Sequence, residues 1–467
     1  MTRNLGFVAL AAAAAAVSAL FASAPILKTK AAGDDIAVDL SERFQRLEGW
    51  EATIRAWEIN KRENRYDPSF IESIDEVLGD LVEEAGVNRL RLEIRSGNES
   101  RADIWTPFQS GEFTHDEFEA QFYANENDNK DPFVADPSGF QWTDLDFRVE
   151  NVVLPMRDLL AARGEKLFVN VCFVDFAKGN LGGLDLALKP EEYAELVAEA
   201  FKHLKSKYGL TPDAFEVVLE PENSGTWQAE RIGPAVKAVR KRLNAEGFDP
   251  QIIAPSTKLA KNALYYYNTA MRSGADIDVI AYHSYDRPAD TIRGDIARAA
   301  KDAGVKTAML EHLRADVNEF YADMTIANVS AWQQWGIAHF NDGGKYLLVG
   351  DPTRPKGDRV RLGTRTRALS QIWRHARIGD VRVGASSADP ALKPLAFVKP
   401  DGRAVLSVIA DGPDEFSVSG LAPGTYLVER TTADVLAEKA GAVTVGPDGL
   451  ARLSIPARGV VTIVQQK

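Results

Sequence analysis

The sequence predicts an α/β fold, a (β/α)8 TIM barrel with a C-terminal all-β sandwich domain. Short apolar stretches alternate with amphipathic helical stretches between about Gly49 and Ile337, which is typical of a parallel sheet with right-handed crossovers. No GxGxxG motif follows the first apolar stretch, and this disfavours an open dinucleotide-binding sheet. From about Thr364 the helical periodicity largely disappears, and short alternating strands are separated by turn sequences such as Pro-Asp-Gly at 400–402.

Eight strand-helix units fit a closed barrel better than an open doubly wound sheet. The strands are predicted at residues 47–54, 87–94, 166–174, 215–220, 251–255, 277–283, 306–311 and 329–336. A long insertion follows the second strand, from Ser96 to about Asp146, and loops of this length in a compact barrel are usually functional. Its aromatic residues favour either a wall for a glycan cleft or the packing of the loop itself: Trp105, Phe108, Phe122, Tyr123, Phe133 and Trp142.

The N-terminus is typical of an export signal. Arg3 precedes an apolar run over residues 5–21, and small residues follow at 22–24. Because the run is nearly long enough to span a bilayer, an uncleaved anchor is the alternative. Pro25 disfavours cleavage after Ala24, which leaves Ala32 as a candidate site. The expected organisation is a signal peptide at 1–32, a sandwich strand at 33–46, the barrel at 47–363 and the sandwich at 364–467, in a secreted or periplasmic protein.

The composition limits the partners. Of the 467 residues, 45% are hydrophobic and 26% are charged, which is an ordinary globular balance. The formal net charge of -12 argues against nucleic acid or an anionic membrane surface as partner and leaves a neutral sugar open. The single cysteine, Cys172, lies within an apolar run and is interpreted as a buried strand residue. The six histidines show no metal-binding spacing, so we expect neither a metal nor another cofactor.

Two carboxylates stand where barrel chemistry is expected, at the carboxyl ends of strands. Glu220 ends the apolar stretch of strand four, and Glu311 ends that of strand seven. Two glutamates that face each other across a barrel mouth form the pair that a retaining glycosidase uses, about 5–5.5 Å apart. We expect the acid to need an apolar surrounding or a neighbouring negative charge, and the nucleophile to need hydrogen-bond donors. Glu222 is the alternative acid.

Several further polar and aromatic residues are candidates for the site. His283 and Tyr285, at the end of strand six, are candidate hydrogen-bond donors to Glu311. Arg91 on strand two is a third candidate, and its alternative role is a salt bridge beneath the barrel mouth. Two tryptophans on strand eight are predicted either to form the floor of a sugar subsite or to pack in the core. The predicted substrate-binding set is therefore Arg91, Asn170, Glu222, Asn223, His283, Tyr285, Trp332 and Trp335.

The chain resembles clan A glycoside hydrolases, and family 30 in particular. The resemblance lies in the Glu-Pro of strand four, the His-x-Tyr of strand six and the Glu of strand seven, and in the stretches 44–50, 328–335 and 369–383. It implies cleavage of β-glycosides with retention, Glu220 as acid/base and Glu311 as nucleophile, with an oligo- or polysaccharide as substrate. Family 39 of the same clan is an alternative.

One departure from the family pattern concerns the residue before the acid. The family has an asparagine there that bonds the sugar 2-hydroxyl, and this chain has Leu219. The substrate is then expected to differ at position 2, or Asn223 to replace the contact, or activity to be weak. Leu219 also motivates two alternative functions, a non-catalytic glycan-binding barrel and a transglycosylase acting on envelope glycans.

Overall fold

The computed structural model describes residues 35–176, 183–350, 354–355 and 357–467. The predicted signal peptide or anchor at 1–32 lies outside these residues. Within the described ranges, no helix combines the length and the apolar character that crossing a membrane requires.

The barrel is present and closed. Its strands pair in parallel in sequence order, and the seventh also pairs with the eighth, which pairs with the first. The eight barrel strands, first to eighth, are Gly49–Thr53, Arg89–Arg95, Phe168–Val174, Ala214–Glu216, Gln251–Thr257, Val279–His283, Lys306–Glu311 and Val329–His339. The fourth strand ends four residues earlier than predicted, so Glu220 lies in a turn beyond it. The eighth runs three residues further than predicted and pairs with an added strand, Lys345–Val349, which pairs with Val360–Leu362.

Helices connect the strands and cover the barrel. Their apolar faces pack on the sheet because apolar residues recur at helical spacing, as in Ser69–Glu83, whose buried residues include Phe70, Ile74 and Val77. The other α-helices of the described chain are Trp105–Ser110, His115–Gln121, Thr143–Arg148, Leu154–Ala162, Pro190–Tyr208, Pro221–Ser224, Ala229–Ala245, Ala260–Arg272, Asp290–Ala303, Val317–Thr325 and Thr366–Trp373.

The long insertion is folded rather than extended. It carries three of the short helices, and its aromatic rings pack on one another: Trp105 lies 5.7 Å from Phe108, and Phe108 stacks on Phe118 at 4.6 Å. Phe133 is exposed. The packing interpretation therefore holds for the centre of the insertion, and its edge lines the cavity described below.

The second domain is one nine-stranded, mostly antiparallel sheet that folds over its own apolar core. The strand Ile36–Arg46 joins it, antiparallel to one neighbour and parallel to the other. Leu406, Phe416, Tyr426 and Leu453 from distant strands share the core, which shows that the sheet closes on itself. The remaining strands are Val381–Ser387, Leu392–Val398, Ala404–Ala410, Asp414–Ser419, Gly424–Thr432, Glu438–Val445, Ala451–Ile455 and Gly459–Gln465.

The helix Thr366–Trp373 joins the two domains, at the start of the segment for which an all-β domain is predicted. Trp373 stacks on Trp50 of the first barrel strand at 5.6 Å, while Thr462 of the sheet domain donates to the Gln371 carbonyl at 3.2 Å. The helix is buried on both sides. This packing fixes the barrel against the sheet domain and leaves the opposite, carboxyl end of the barrel open.

Candidate active site

A cavity of about 530 Å³ opens at the carboxyl ends of the barrel strands. Both predicted catalytic glutamates, Glu220 and Glu311, line it. A carboxylate oxygen of each, together with one ring nitrogen of His283, lie within 4.8 Å of one another. Two side chains that are 91 positions apart in the sequence therefore converge on one small volume.

Glu311 ends the seventh strand and is only 7% exposed. Arg91, fully buried on the second strand, places Nη2 2.5 Å from Glu311 Oε2. The Tyr285 hydroxyl donates to the other oxygen, Oε1, at 2.7 Å. Because a guanidinium does not lose its charge at any ordinary pH, Arg91 places a permanent positive charge beside this carboxylate. The sequence predicted both of these donors correctly as partners of Glu311.

Glu220 is held in an unusual backbone conformation. Its φ of 45° and ψ of 64° lie in the left-handed region, which non-glycine residues rarely adopt. Pro221 begins a short helix, and its ring disfavours the right-handed helical conformation at the preceding residue, Glu220. The backbone N–H of Glu220 donates to the Ser256 carbonyl at 3.0 Å and fixes the turn. Such strain is common where a side chain must point into a site.

The surroundings of Glu220 differ from those predicted. His283, expected to donate to Glu311, instead places Nδ1 2.8 Å from Glu220 Oε1. Burial raises the pKa of Glu220, but the hydrogen bond and charge of His283 lower it more, so its pKa lies below the ordinary 4.5. Burial lowers the pKa of His283, and the bond to Glu220 and the charge of Glu311 raise it above the ordinary 6.5. The pair thus favours a protonated imidazole beside an ionised carboxylate.

A buried polar chain extends from this pair into the barrel. His283 Nε2 lies 3.5 Å from Ser256 Oγ, the Ser256 hydroxyl donates to Glu216, and Asn170 Nδ2 donates to Glu216 at 2.9 Å. Asn170, predicted to bind substrate, does not line the cavity and lies in this chain instead. Its bond to Glu216 is two steps removed from the imidazole, so its contribution is to orient the carboxylate that holds Ser256.

Comparisons with known proteins identify the fold. No protein-family model matches the chain, and no curated protein matches its sequence. The catalytic domain of family 30 xylanase C from Talaromyces cellulolyticus aligns over 92% of this chain and 100% of its own, at 15% identity and a TM-score of 0.66. The fold is that of glycoside hydrolase family 30.

Two further structures share this fold. An endo-β1,6-glucanase covers 94% of this chain and 96% of its own at 14% identity, with a TM-score of 0.63. A family 39 enzyme from Xanthomonas axonopodis pv. citri covers 92% and 97% at 15% identity, with a TM-score of 0.54. The family 30 xylanase therefore superposes better than this family 39 structure, which confirms the resemblance at the level of the fold.

Leu219 lies on the cavity wall of this family 30 fold, directly before Glu220, and is 6% exposed. It packs with Cys172 and Val174 of the third strand, and Tyr123 lies against the same cluster. Cys172 is fully buried, as predicted. The wall beside Glu220 is thus apolar where the family pattern implies an amide.

Two other predicted residues contact Glu220 or the loop after strand five: Asn223 and Glu222. Asn223 Nδ2 donates to Glu220 Oε2, and its own oxygen accepts from Lys258 at 3.2 Å, so the amide contacts the carboxylate and does not line the cavity. Glu222, the alternative acid, accepts from the Lys258 backbone N–H at 2.9 Å and from Asn262 at 3.2 Å. Glu222 therefore orients the loop after strand five.

The two tryptophans of strand eight point to opposite sides. Trp335 lines the cavity. Trp332 is fully buried, donates to Asp323 Oδ2 at 3.0 Å and packs edge-on to Phe320 at 5.5 Å. The prediction of Trp332 as a subsite residue is therefore wrong, because its position on the strand directs it outward under the covering helices and only Trp335 faces the barrel mouth.

Six charged residues of the cavity wall were not predicted from the sequence: Arg55, Glu58, Lys61, Glu93, Glu119 and Lys345. Arg55 lies two residues beyond the end of the first strand, and Glu93 lies two residues beyond Arg91, on the same face of its strand. Both positions satisfy the rule that polar residues at the ends of barrel strands form the site. Lys345 begins the added strand after the eighth, for which the sequence carries no recognisable signal.

The Glu220, His283 and Glu311 cluster also resembles the donor set of a small cation site. A metal ion there would need to displace the guanidinium of Arg91 from Glu311 and the proton between His283 and Glu220. These contacts already balance the charge of the cluster. The arrangement is therefore better suited to proton transfer and nucleophilic attack than to metal binding.

Proposed function

We propose that this protein is a retaining β-glycoside hydrolase, with Glu311 as the nucleophile and Glu220 as the acid/base. The observation that carries the proposal is the approach of the two carboxylates within 4.8 Å at the wall of one cavity. Retaining enzymes hold the pair about 5–5.5 Å apart, whereas inverting enzymes need about 6.5–9.5 Å to admit a water between them. The spacing favours direct attack by one carboxylate.

In the first step Glu311 attacks the anomeric carbon while Glu220 protonates the departing glycosidic oxygen. Arg91 and Tyr285 fix both oxygens of Glu311, so the attacking lone pair is oriented before the substrate arrives. The bond from carbon to the leaving oxygen breaks as the bond to Glu311 forms. A covalent glycosyl-enzyme results.

The proton for this step is stored one hydrogen bond away. In the free site His283 holds it at Nδ1, 2.8 Å from Glu220, and transfer to the carboxylate generates the acid when the leaving oxygen requires it. In the second step Glu220 removes a proton from water, which attacks the anomeric carbon and releases Glu311. The proton returns to the pair formed by Glu220 and His283, and the charge of the site is restored.

The cavity walls support a carbohydrate as the substrate. Trp335, Phe122 and Tyr123 line it, and aromatic faces pack on the apolar C–H surfaces of sugar rings. The proteins with this fold include xylanases and an endo-β1,6-glucanase, as their names state. We propose a β-linked glycan of the cell exterior, because the N-terminal sequence is typical of export.

The test is turnover of a glycan panel by the purified protein, with NMR detection of the anomer formed first. We expect the β-anomer first, and loss of turnover in both Glu311→Gln and Glu220→Gln, with unchanged circular dichroism and Tm. Treatment with EDTA should leave turnover unchanged. Unaltered activity in Glu311→Gln, or initial formation of the α-anomer, would overturn the mechanism. Binding without turnover by the wild type would favour the non-catalytic alternative.

A further inference from the structure

Ser256 of the fifth barrel strand contacts both members of the pair formed by Glu220 and His283. Its backbone carbonyl accepts from the Glu220 N–H at 3.0 Å, and its Oγ lies 3.5 Å from His283 Nε2. Ser256 has a φ of 52°, in the left-handed region that non-glycine residues rarely adopt. Backbone strain of this kind is concentrated at functional sites, which makes Ser256 a candidate for a role in the chemistry.

The serine hydroxyl has a single proton, and that proton is directed away from the imidazole. Ser256 donates it to Glu216 Oε1, and Asn170 Nδ2 donates to the other oxygen of Glu216 at 2.9 Å. Both oxygens of this carboxylate therefore act as acceptors. A hydroxyl that donates to one partner can only accept from another. Ser256 Oγ thus presents a lone pair to His283.

The imidazole of His283 then faces an acceptor at each nitrogen. Glu220 Oε1 lies 2.8 Å from Nδ1, and Ser256 Oγ lies beside Nε2. A neutral imidazole has one N–H and one lone pair, so beside an ionised Glu220 either tautomer sets a nitrogen lone pair against an oxygen lone pair. The ring is fully buried, where such a mismatch is costly. Only the doubly protonated ring satisfies both contacts.

The charged groups around the ring act in the same direction on balance. The charged or titratable groups that face His283 are Glu220, Glu311, Arg91, Tyr285 and, through Ser256, Glu216. Burial and the charge of Arg91 lower the pKa of His283, but Glu220 and Glu311 raise it to a value above the ordinary 6.5. The carboxylates therefore favour the charged ring, and Ser256 decides what happens at Nε2.

We infer that Ser256 and Glu216 are positioning residues that hold a proton on His283 Nε2, so that the proton on Nδ1 is the one transferred to Glu220. This inference rests on the proposed hydrolase function and adds two residues that do not line the cavity. When Nδ1 gives its proton to Glu220 Oε1, the new carboxylic acid donates back to Nδ1 and Nε2–H still donates to Ser256. Every donor in the transferred state therefore keeps an acceptor.

The direct test is an NMR titration of the free protein with 15N-labelled histidine. The signals of His283 are identified by their absence from His283→Gln. We expect both ring nitrogens of the wild type to be protonated at about pH 6. In Ser256→Ala no lone pair faces Nε2, so a neutral ring with its N–H at Nδ1 is no longer disfavoured. The titration of His283 should then move to lower pH by about one unit, with Nε2 losing its proton.

Three further variants separate the hydroxyl from the turn that carries it. Ser256→Gly also removes the hydroxyl but tolerates the φ of 52°, so it should shift the titration as Ser256→Ala does. Glu216→Gln removes the carboxylate that takes the serine proton, and the titration should again move to lower pH. Ser284→Ala is the matched control, because this buried hydroxyl, next to His283 in the chain, has no hydrogen-bond partner within the described residues. It should leave the titration unchanged.

Turnover gives a second measurement of the same proton. In both Ser256 variants the alkaline limb of kcat should move to lower pH with the NMR titration, so the loss of rate should be about tenfold on the alkaline side and smaller at acid pH. A titration that stays in place in both Ser256 variants, or a loss of kcat that is equal at every pH, would overturn the inference. Because the titration is measured without substrate, these results leave the hydrolase function intact. Conversely, a protein that cleaves no glycan can still show the predicted titration.

Discussion

The ends of the fourth and seventh barrel strands present the same residue type in two different environments. Glu311 ends a regular strand and is held by Arg91, whose charge is permanent, and by a tyrosine hydroxyl. Glu220 lies beyond its strand, in a left-handed turn, and is held by His283, a titratable group whose pKa is raised above 6.5 by the bond to Glu220 and the charge of Glu311. The difference supports the two roles that we propose for one residue type. A fixed cation suits a nucleophile that stays ionised, and a titrating partner suits a group that gains and loses a proton.

The largest effect is expected from removal of the fixed cation. Arg91→Met leaves Glu311 buried without its counter-ion, so we expect kcat/KM to fall by about 10³-fold or more. The free energy of unfolding should also fall by about 3–5 kcal/mol, because one buried charge loses its partner. Steady-state kinetics and denaturant unfolding measure the two quantities.

Arg89→Met is the matched control for this variant. Arg89 is equally buried and pairs with Glu51, but neither residue lines the cavity. A comparable loss of stability is expected, with activity per folded molecule retained. If both variants lose activity equally, Arg91 acts through the fold and not through Glu311.

The titrating partner should have the next largest effect, and a distinctive pH dependence. The pair formed by Glu220 and His283 must hold a proton for the first step. Since the pKa of His283 is raised above 6.5, the wild-type rate should fall as the pH rises through a value above 6.5. In His283→Gln only Glu220 can carry that proton. We expect kcat to fall by about 10²-fold and the alkaline limb to move to lower pH.

A distant histidine provides the control for this pH profile. His203 contacts Asp146 at 2.6 Å and does not line the cavity, so His203→Gln should leave the profile unchanged. An alkaline limb that stays in place in His283→Gln would show that another group supplies the proton.

Tyr285→Phe should have a smaller effect, because Arg91 still holds Glu311 after the hydroxyl is removed. Loss of one hydrogen bond to a charged group predicts a fall in kcat of about tenfold or somewhat more. Stability should change little, since the hydroxyl lies at the cavity wall. A loss of activity as large as that of Arg91→Met would contradict the expectation that Arg91 contributes more than Tyr285 to holding Glu311.

The smallest effect concerns the apolar wall beside Glu220. If a polar group at position 219 contacts the sugar 2-hydroxyl, Leu219→Asn should raise kcat/KM by about two- to tenfold on substrates with that hydroxyl and have no effect on 2-deoxy analogues. Val174→Asn changes the same apolar cluster on the neighbouring strand and should give no gain. Equal gains on both substrate types would show that the amide acts elsewhere.

The sequence predicted the barrel because strand and helix periodicity is a local property, and all eight barrel strands appear within a few residues of their predicted positions. It also predicted that Glu220 and Glu311 meet, because the carboxyl ends of barrel strands share one face. The hydrogen-bond partners of the two glutamates were harder to predict from the sequence. His283 and Tyr285 are two residues apart, yet they contact different glutamates.

The features that the sequence did not predict depend on geometry between distant segments. Whether Trp332 or Trp335 faces the cavity depends on the register of strand eight against its neighbours. Lys345 reaches the cavity through an added strand that pairs beyond the eighth, at Gly336 and after. Neither position is marked by periodicity or by a motif, since both depend on pairing between strands.

The most direct test of the two assigned roles is rescue by azide of the alanine variants, with NMR identification of the product. In Glu220→Ala the nucleophile remains, so azide should attack the glycosyl-enzyme from the face of the missing acid and give the β-glycosyl azide. In Glu311→Ala azide should occupy the place of the nucleophile and give the α-glycosyl azide. The same anomer from both variants, or the reverse assignment, would contradict the roles given to Glu220 and Glu311.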